Sequence, residues 1–450
     1  MLNVDSSATL PLRNEILSRF QRYLQLPTQQ PFPQYELAID HLVSWSREIF
    51  PSLNSAEWEE LSSGVKKMES YNAAITVFRC ESTKPNLILT WKGKKPELGS
   101  ILINSHMDVV PVDESQWTYP PFEAKLETIT ESDGKTKRRV YARGAQDMKN
   151  VGAAYMEVLK LLVNSEYKPE RTLHVIFVAD EEIGGQDGWG CLIGESQAEL
   201  WKSLNVRFGL DEGLSSGLNS DVIPIFYGEK ATWFFEITAT GNVGHGSQFI
   251  QDTATEKIYR LLRDKVFPFR EQQQVQMRLQ TENEKKKSSA SHVISINLTG
   301  LKAGHTNKET GEFSSPNVIP RTATAVFDMR VATHLDLHEV DAMLHQWAES
   351  VNGTLKYLKR SMENGLTDLE DEMVKRFLKV VNSKMTTNLM IVPAGTDARF
   401  QRSKGVNALG YSFMPFTQSL FHNNDEYLDE DIYIQSIIHY VDILKEMLLE

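Results

Sequence analysis

Apolar and polar residues follow two different rhythms along this chain. Residues 9–26 carry apolar side chains at helical spacing, and a second helix is expected over 35–50, ending before Pro51. Residues 73–79 and 87–91 are rich in β-branched and aromatic types and read as adjacent strands. The stretch Ile101-Leu-Ile-Asn-Ser-His-Met-Asp-Val-Val-Pro111 reads as a buried strand that ends by presenting His106 and Asp108. Residues 125–141 contain Ser132-Asp133-Gly134-Lys135, a turn signal between two strand-like pieces, which predicts a hairpin. Met148, Val151, Tyr155, Val158, Leu159 and Leu162 recur at helical spacing and predict a helix that opens at Asp147 with one buried face. Residues 173–179 and 206–210 are apolar runs suited to central parallel strands, and they end in Asp180-Glu181-Glu182 and Asp211-Glu212-Gly213.

The rhythm changes after about Val222. A half-buried strand is expected over 231–240, then a helix over 252–264, strands over 292–301 and 322–331, a helix over 335–351 and a strand over 354–359. That order, β-α-β-β-α-β, describes a self-contained ferredoxin-like domain. Residues 270–290 are polar and biased in composition and read as a solvated insertion. Strands over 389–392 and 407–410 and a long helix from about Asp429 then resume the first sheet. The fold class predicted is α/β, with a large domain formed by residues 1–221 and 363–450 and a small domain, 222–362, inserted into it.

The length of 450 residues agrees, being too great for a single hydrophobic core. The net charge of −12 argues against nucleic acid and anionic membranes as partners, since both need a basic face. Cys80 and Cys191 are the two cysteines. They are expected as reduced, buried thiols, and a disulfide framework is not expected. No apolar run of about 18 residues occurs and the first thirty residues lack a signal-peptide pattern, so a cytosolic protein is expected. The Asn297 and Asn352 sequons are then expected to stay unmodified.

Four strand or helix ends carry imidazole or carboxylate: His106 with Asp108, Asp147, Glu181 with Glu182, and Asp211 with Glu212. In open α/β sheets, ligands bind at the carboxyl ends of strands. Adjacent carboxylates after a buried strand repel each other, and a cation relieves that cost. Imidazole and carboxylate without thiolate suit a catalytic zinc, cobalt or manganese site. The carboxylates are too many for one ion, which suggests two ions sharing a bridging carboxylate.

The segments Ser105-His-Met-Asp-Val-Val-Pro111, Tyr141-Ala-Arg-Gly-Ala-Gln-Asp-Met-Lys149, Asp180-Glu-Glu-Ile-Gly-Gly185 and Leu210-Asp-Glu-Gly213 resemble the motifs of the dinuclear-zinc M20 metallopeptidases. Within that family they are most similar to the aminoacylase branch, which hydrolyses N-acyl-L-amino acids. The resemblance runs from about residue 10 to the end, with longer loops near 128–139 and 268–290. It implies that His106, Asp147, Glu182, Glu212 and His422 bind two zinc ions bridged by Asp147, with Asp211 an alternative to Glu212. His106 and Glu212 would hold one ion, and Glu182 and His422 the other. His422 stands in Phe421-His-Asn-Asn-Asp-Glu426, the family's late His-x-x-x-Glu. The resemblance further implies that Glu181 is the general base and that Asp108 holds His106 in place. His245, in Gly241-Asn-Val-Gly-His-Gly-Ser247, would reach across a homodimer interface formed by the inserted domain. Asn317 and Arg330 would line the substrate pocket, and Gly395 and Arg399 would receive the substrate carboxylate. A dipeptidase or carboxypeptidase of the same family, and a silent binder of metal or acyl-amino acids, are the alternative readings. An unligated Glu181 has no use in a mere binder.

Overall fold

The computed structural model describes residues 10–450, apart from 63, 131–133, 285–291, 307–309, 311, 363–364 and 393. It divides into two compact units. The larger takes in the chain up to Tyr227 together with Thr367–Leu389 and Thr396–Glu450, and the smaller is Gly228–Leu366 with Met390–Gly395.

A ten-stranded mixed sheet runs in the order 58–62, 65–69, 73–78, 86–91, 173–178, 100–106, 206–211, 407–411, 223–229, 387–392. Its middle is parallel: Ser100–His106 lies between Leu173–Val178 and Val206–Asp211, and Asn407–Tyr411 follows in the same direction. Ser100–His106 and Leu173–Val178 are buried at every position, which is why they read as unbroken apolar runs rather than alternating ones. All four parallel strands end at one edge. From Ser100–His106 the chain passes to Leu173–Val178 on one side and from there crosses over to Val206–Asp211 on the other, and this reversal is the topological switch point where α/β sheets open a crevice.

The helix after the second motif spans Lys149–Asn164 and packs against the terminal helix Glu430–Met447 and the first helix Leu10–Leu24. It begins two residues later than expected. Met148 occupies the N-cap position without a side-chain cap, so Asp147 is not spent on capping. Gly152 allows the helix to sit directly on the His106 strand, since a Cβ there would lie 2.5 Å from Ser105 Oγ.

The strands Lys125–Thr130 and Thr136–Tyr141 pair as a hairpin, with Tyr427–Asp429 added along its other edge. Ser132 and Asp133 of the expected turn lie outside the described residues. The outer hairpin, Trp58–Ser62 with Val65–Glu69, carried no apolar signal because Trp58–Ser62 is exposed throughout.

The smaller unit holds a four-stranded antiparallel sheet in the order Ser295–Ala303, Thr322–Val331, Ala231–Thr240, Gly353–Arg360. Burial alternates along Ala231–Thr240 and Thr322–Val331, and the buried face packs against helices Ala254–Leu261 and Leu337–Glu349. The expected insertion at 270–290 is largely a helix, Phe267–Glu284, with Val275 and Leu279 exposed. Residues 270–279 are exposed or half-buried on that helix, and residues 285–290 of the expected insertion lie outside the described residues.

The cysteines correct a second expectation. Cys80 and Cys191 form a disulfide, with Cα atoms 5.8 Å apart across 111 residues of sequence. Cys80 follows the strand Ala73–Phe78 and is exposed, and Cys191 lies in the short helix Trp189–Ile193. Nothing in their spacing along the chain reveals that the fold makes them neighbours.

Candidate metal and catalytic site

The ends of the parallel strands bring six side chains together. His106 closes its strand fully buried, and its Nδ1–H donates to the main-chain carbonyl of Asp108 at 2.8 Å. A carbonyl only accepts, so Nδ1 carries a proton and Nε2 is the nitrogen left to face outward. It faces Asp147 Oδ1 at 3.1 Å and Glu212 Oε2 at 3.8 Å. The other oxygen of Asp147, Oδ2, lies 3.1 Å from His422 Nε2. His422 in turn lies 3.1 Å from Glu182 Oε2. Two sets of donor atoms converge closely enough to share an ion: His106 with Glu181 and Glu212, and His106 with Asp147 and Glu182.

The electrostatics of this cluster call for cations. Burial, and then the charge of Glu212, push the Glu181 carboxyl well above its ordinary range. Burial and Asp147 do the same to Glu212, and they raise Glu182 to about 7. Burial opposes ionisation of Asp147 too, but hydrogen bonds from both imidazoles hold it below the usual carboxylate range. Hydrogen bonds to Asp147 and Glu182 raise His422 to about 10. Glu182 Oε1 is buried with no hydrogen-bond partner. Imidazole nitrogens and carboxylates converging on one another, with a buried oxygen left over, fit divalent metal and fit a purely structural ion pair poorly.

Asp108 contacts His106 through its main-chain carbonyl, and its side chain goes elsewhere. Its carboxylate stands 3.7 Å from His106 Nδ1 and instead accepts the main-chain N–H groups of Glu181 and Glu182, each at 3.2 Å, and the Gln30 amide at 2.8 Å. It therefore orients His106 through its carbonyl and the Glu181–Glu182 turn through its side chain. Asp211 turns away from the cluster and accepts from Asn104 at 2.7 Å. Trp189 in turn holds Asn104 at 3.0 Å, so Glu212 is the acid that faces His106. Arg399 donates to the carbonyls of Thr396 and Gly184, at 2.6 and 2.9 Å, and so braces the Glu181–Gly185 turn.

His245, Asn317 and Arg330 lie in the smaller unit, as does Gly395. The structure brings the first two together: the Asn317 side-chain amide lies 3.3 Å from His245 Nε2 where Gly244–His245 pairs with Val318–Ile319. Arg330 holds Asp328 with two bonds, at 2.8 and 3.2 Å, and donates to Thr232. Its guanidinium is anchored to its own sheet.

A model of peptidase family M20/M25/M40 matches residues 102–449. The chain belongs to this family. It is 35% identical over 433 residues to aminoacylase-1 of Sus scrofa, covering 95% of this chain and 94% of that protein. It is also 35% identical over 439 residues to aminoacylase-1 of Dictyostelium discoideum, covering 96% and 98%. Among solved structures, an M20 family metallo-carboxypeptidase from Sulfolobus solfataricus shares the fold with a TM-score of 0.67 at 18% identity, over 96% of this chain and 99% of that one. A dinuclear metal-binding peptidase of the family from Bacillus subtilis does so at 0.60 and 15%, over 96% and 97%. The M20 chain described here is a metal-dependent hydrolase of amide bonds.

Sequence reasoning passed over Glu426, Arg143 and Gln146, which join the two halves of the site. Glu426 was visible only as the last letter of a motif, and Arg143 and Gln146 only as flanks of Asp147.

Proposed function

We propose that this chain hydrolyses N-acyl-L-amino acids to a carboxylate and a free L-amino acid, with two zinc ions bound at the strand ends. The aminoacylase relatives support the substrate class. The observation that carries the metal reading is Asp147, whose two oxygens each face a different histidine. In this reading His106 and Glu212 would hold one ion, Glu182 and His422 would hold the other, and Asp147 would be shared between them.

Bound zinc would supply Lewis acidity, bringing a water toward deprotonation near pH 7 and polarising the amide carbonyl. Glu181 is the base. Its desolvated carboxylate takes a proton as water adds to the carbonyl carbon, and returns it to the nitrogen as the C–N bond breaks. Its turn is held by Asp108 below and Arg399 beside it. Arg399, with Gly395, receives the substrate carboxylate in this reading. Two copies pair through the smaller unit, and His245 with Asn317 stabilises the oxyanion in the partner's site. A cytosolic home belongs to the same reading. The Cys80–Cys191 disulfide counts against it, because structural disulfides persist chiefly in oxidising compartments. Among the described residues no helix is long and apolar enough to cross a membrane.

The test is a panel of N-acetyl-methionine, a long-chain N-acyl-glutamine and a free dipeptide, given to zinc-loaded protein. Cleavage of the N-acyl substrates upholds the proposal and ranks the acyl groups. Cleavage of the dipeptide alone would move the activity to the peptidase side of the family. Two bound metals without any cleavage would favour a silent binder.

A further inference from the structure

The two segments that carry Asp147 and His422 are stitched together by one buried carboxylate. Tyr427, Leu428 and Asp429 pair antiparallel with Tyr141, Val140 and Arg139. Just beyond this ladder the Ala142 N–H donates to the Glu426 carbonyl at 3.0 Å. The Glu426 side chain then turns inward, with no exposed surface. Its Oε2 accepts from Arg143 at 2.8 Å and from the Gly144 N–H at 3.0 Å. Its Oε1 accepts from the N–H groups of Gln146 at 2.5 Å and Asp147 at 3.2 Å. Arg143 also donates to the carbonyl of Asn423, next to His422, at 3.0 Å. Gln146 makes the same connection with its amide, donating to the carbonyls of Gln418 and Tyr427 and accepting from the Leu420 N–H.

We infer that Glu426, with Arg143 and Gln146, is a positioning device that sets Asp147 and His422 at the spacing two metal ions require. One carboxylate accepts from the turn before Asp147, while its own main chain and its arginine partner hold the segment of His422. His422 is largely exposed and adopts a positive φ of 62°. No burial fixes its place, so its position depends on the segment that carries it. A buried ion pair adds little to stability over an apolar pair, so a structural role alone explains Arg143 and Glu426 poorly. Residues outside the ligand shell that orient ligands change metal affinity by about 10–100-fold when replaced.

This inference rests on the metal reading of the preceding section, and the experiment separates the two. Zinc is titrated into metal-free protein against a chromophoric chelator, for the wild type, Glu426→Gln and Gln146→Ala, with folding followed by circular dichroism. Glutamine matches glutamate in shape but must turn its NH2 toward donors that need an acceptor. The expected result is two zinc ions in the wild type, and at least one bound about 10–100-fold more weakly in each folded variant. kcat should fall and KM stay near its original value. A merely structural role would lower the melting temperature and leave the zinc curve of the folded protein in place, and that result overturns the inference. If Glu426→Gln fails to fold, Gln146→Ala, which keeps the buried charge pair, decides by the same titration. A wild type that does not take up two zinc ions would overturn the metal reading itself, before any variant is compared.

Discussion

The Asp108 carboxylate accepts the main-chain N–H of Glu181, at 3.2 Å, rather than the imidazole of His106. His106 is held by the carbonyl of the same residue, so the two functions of Asp108 are chemically separable. Asp108→Asn keeps the carbonyl and turns an NH2 toward the donors of the Glu181–Glu182 turn. It should lower kcat by about 10–100-fold while two metals remain bound. Parallel metal analysis and kinetics check this. Loss of one metal without loss of turnover per dinuclear site would instead assign the side chain to His106.

Glu181 is raised well above the ordinary carboxylate range by burial and by Glu212, which suits a group that must take up and return a proton. Glu181→Gln should reduce kcat by at least about 10²-fold, with KM little changed. The metal content should match the wild type, because Glu181 is not among the proposed ligands. A variant that loses a zinc ion would make Glu181 a ligand, an arrangement that its closeness to His106 and Glu212 also permits.

Removing the metal should abolish hydrolysis, and zinc should restore it. The same step should cost stability, since Asp147, Glu182 and Glu212 then repel one another without a counter-charge. A ligand at a thousand times its Kd stabilises the folded state by about 4 kcal/mol. Melting curves of chelator-treated protein should therefore shift upward as zinc is added. An unchanged melting temperature at saturating zinc would mean that the cluster does not bind it.

The architecture was legible in the sequence wherever burial left a pattern. Leu173–Val178 reads as a strand because it is buried on both faces, and Glu181 and Glu182 stand out because acids after such a run are costly. What stayed hidden depends on contacts between distant segments. His422 on its own is a loop histidine, and only its 3.1 Å approach to Asp147 and Glu182 marks it. Glu426 showed only as the end of the His422 motif, with nothing to mark its role, since the donors it satisfies belong to a segment some 280 residues away. Arg399 was visible as a candidate anion receiver, but its bonds to the carbonyls of Thr396 and Gly184 were not.

The disulfide is open to direct test. Cys80 and Cys191 close a loop of 111 residues, and a cross-link of that span removes roughly 4–5 kcal/mol of denatured-state freedom in the chain-entropy account. Cys80→Ser, or reduction, should lower stability toward chemical denaturant by an amount of that order. Alkylation of the denatured protein should find no thiol before reduction and two after it. Two thiols before reduction would restore the reduced state that composition suggested, and with it the case for a cytosolic home.

His174 makes the large unit sensitive to acid at a point away from the metal cluster. Its Nε2–H donates to the Leu204 carbonyl at 3.1 Å, so its Nδ1 accepts from the Thr90 hydroxyl at 2.9 Å. The ring is thereby fixed as neutral imidazole. Burial lowers its pKa to about 4, against roughly 6.5 in the unfolded chain. Between those values the unfolded state binds the proton and the folded state does not, so stability falls as the pH drops through 6.5 and stops falling near 4. A difference of this size amounts to about 3 kcal/mol at most. His439, lowered to about 4 chiefly by burial, acts in the same direction. Denaturant midpoints of the metal-free protein from pH 7 to 4 should therefore decline, and His174→Gln should decline less steeply, whatever its stability at pH 7. Equal slopes for the two proteins would show that His174 takes up its proton without leaving the folded state.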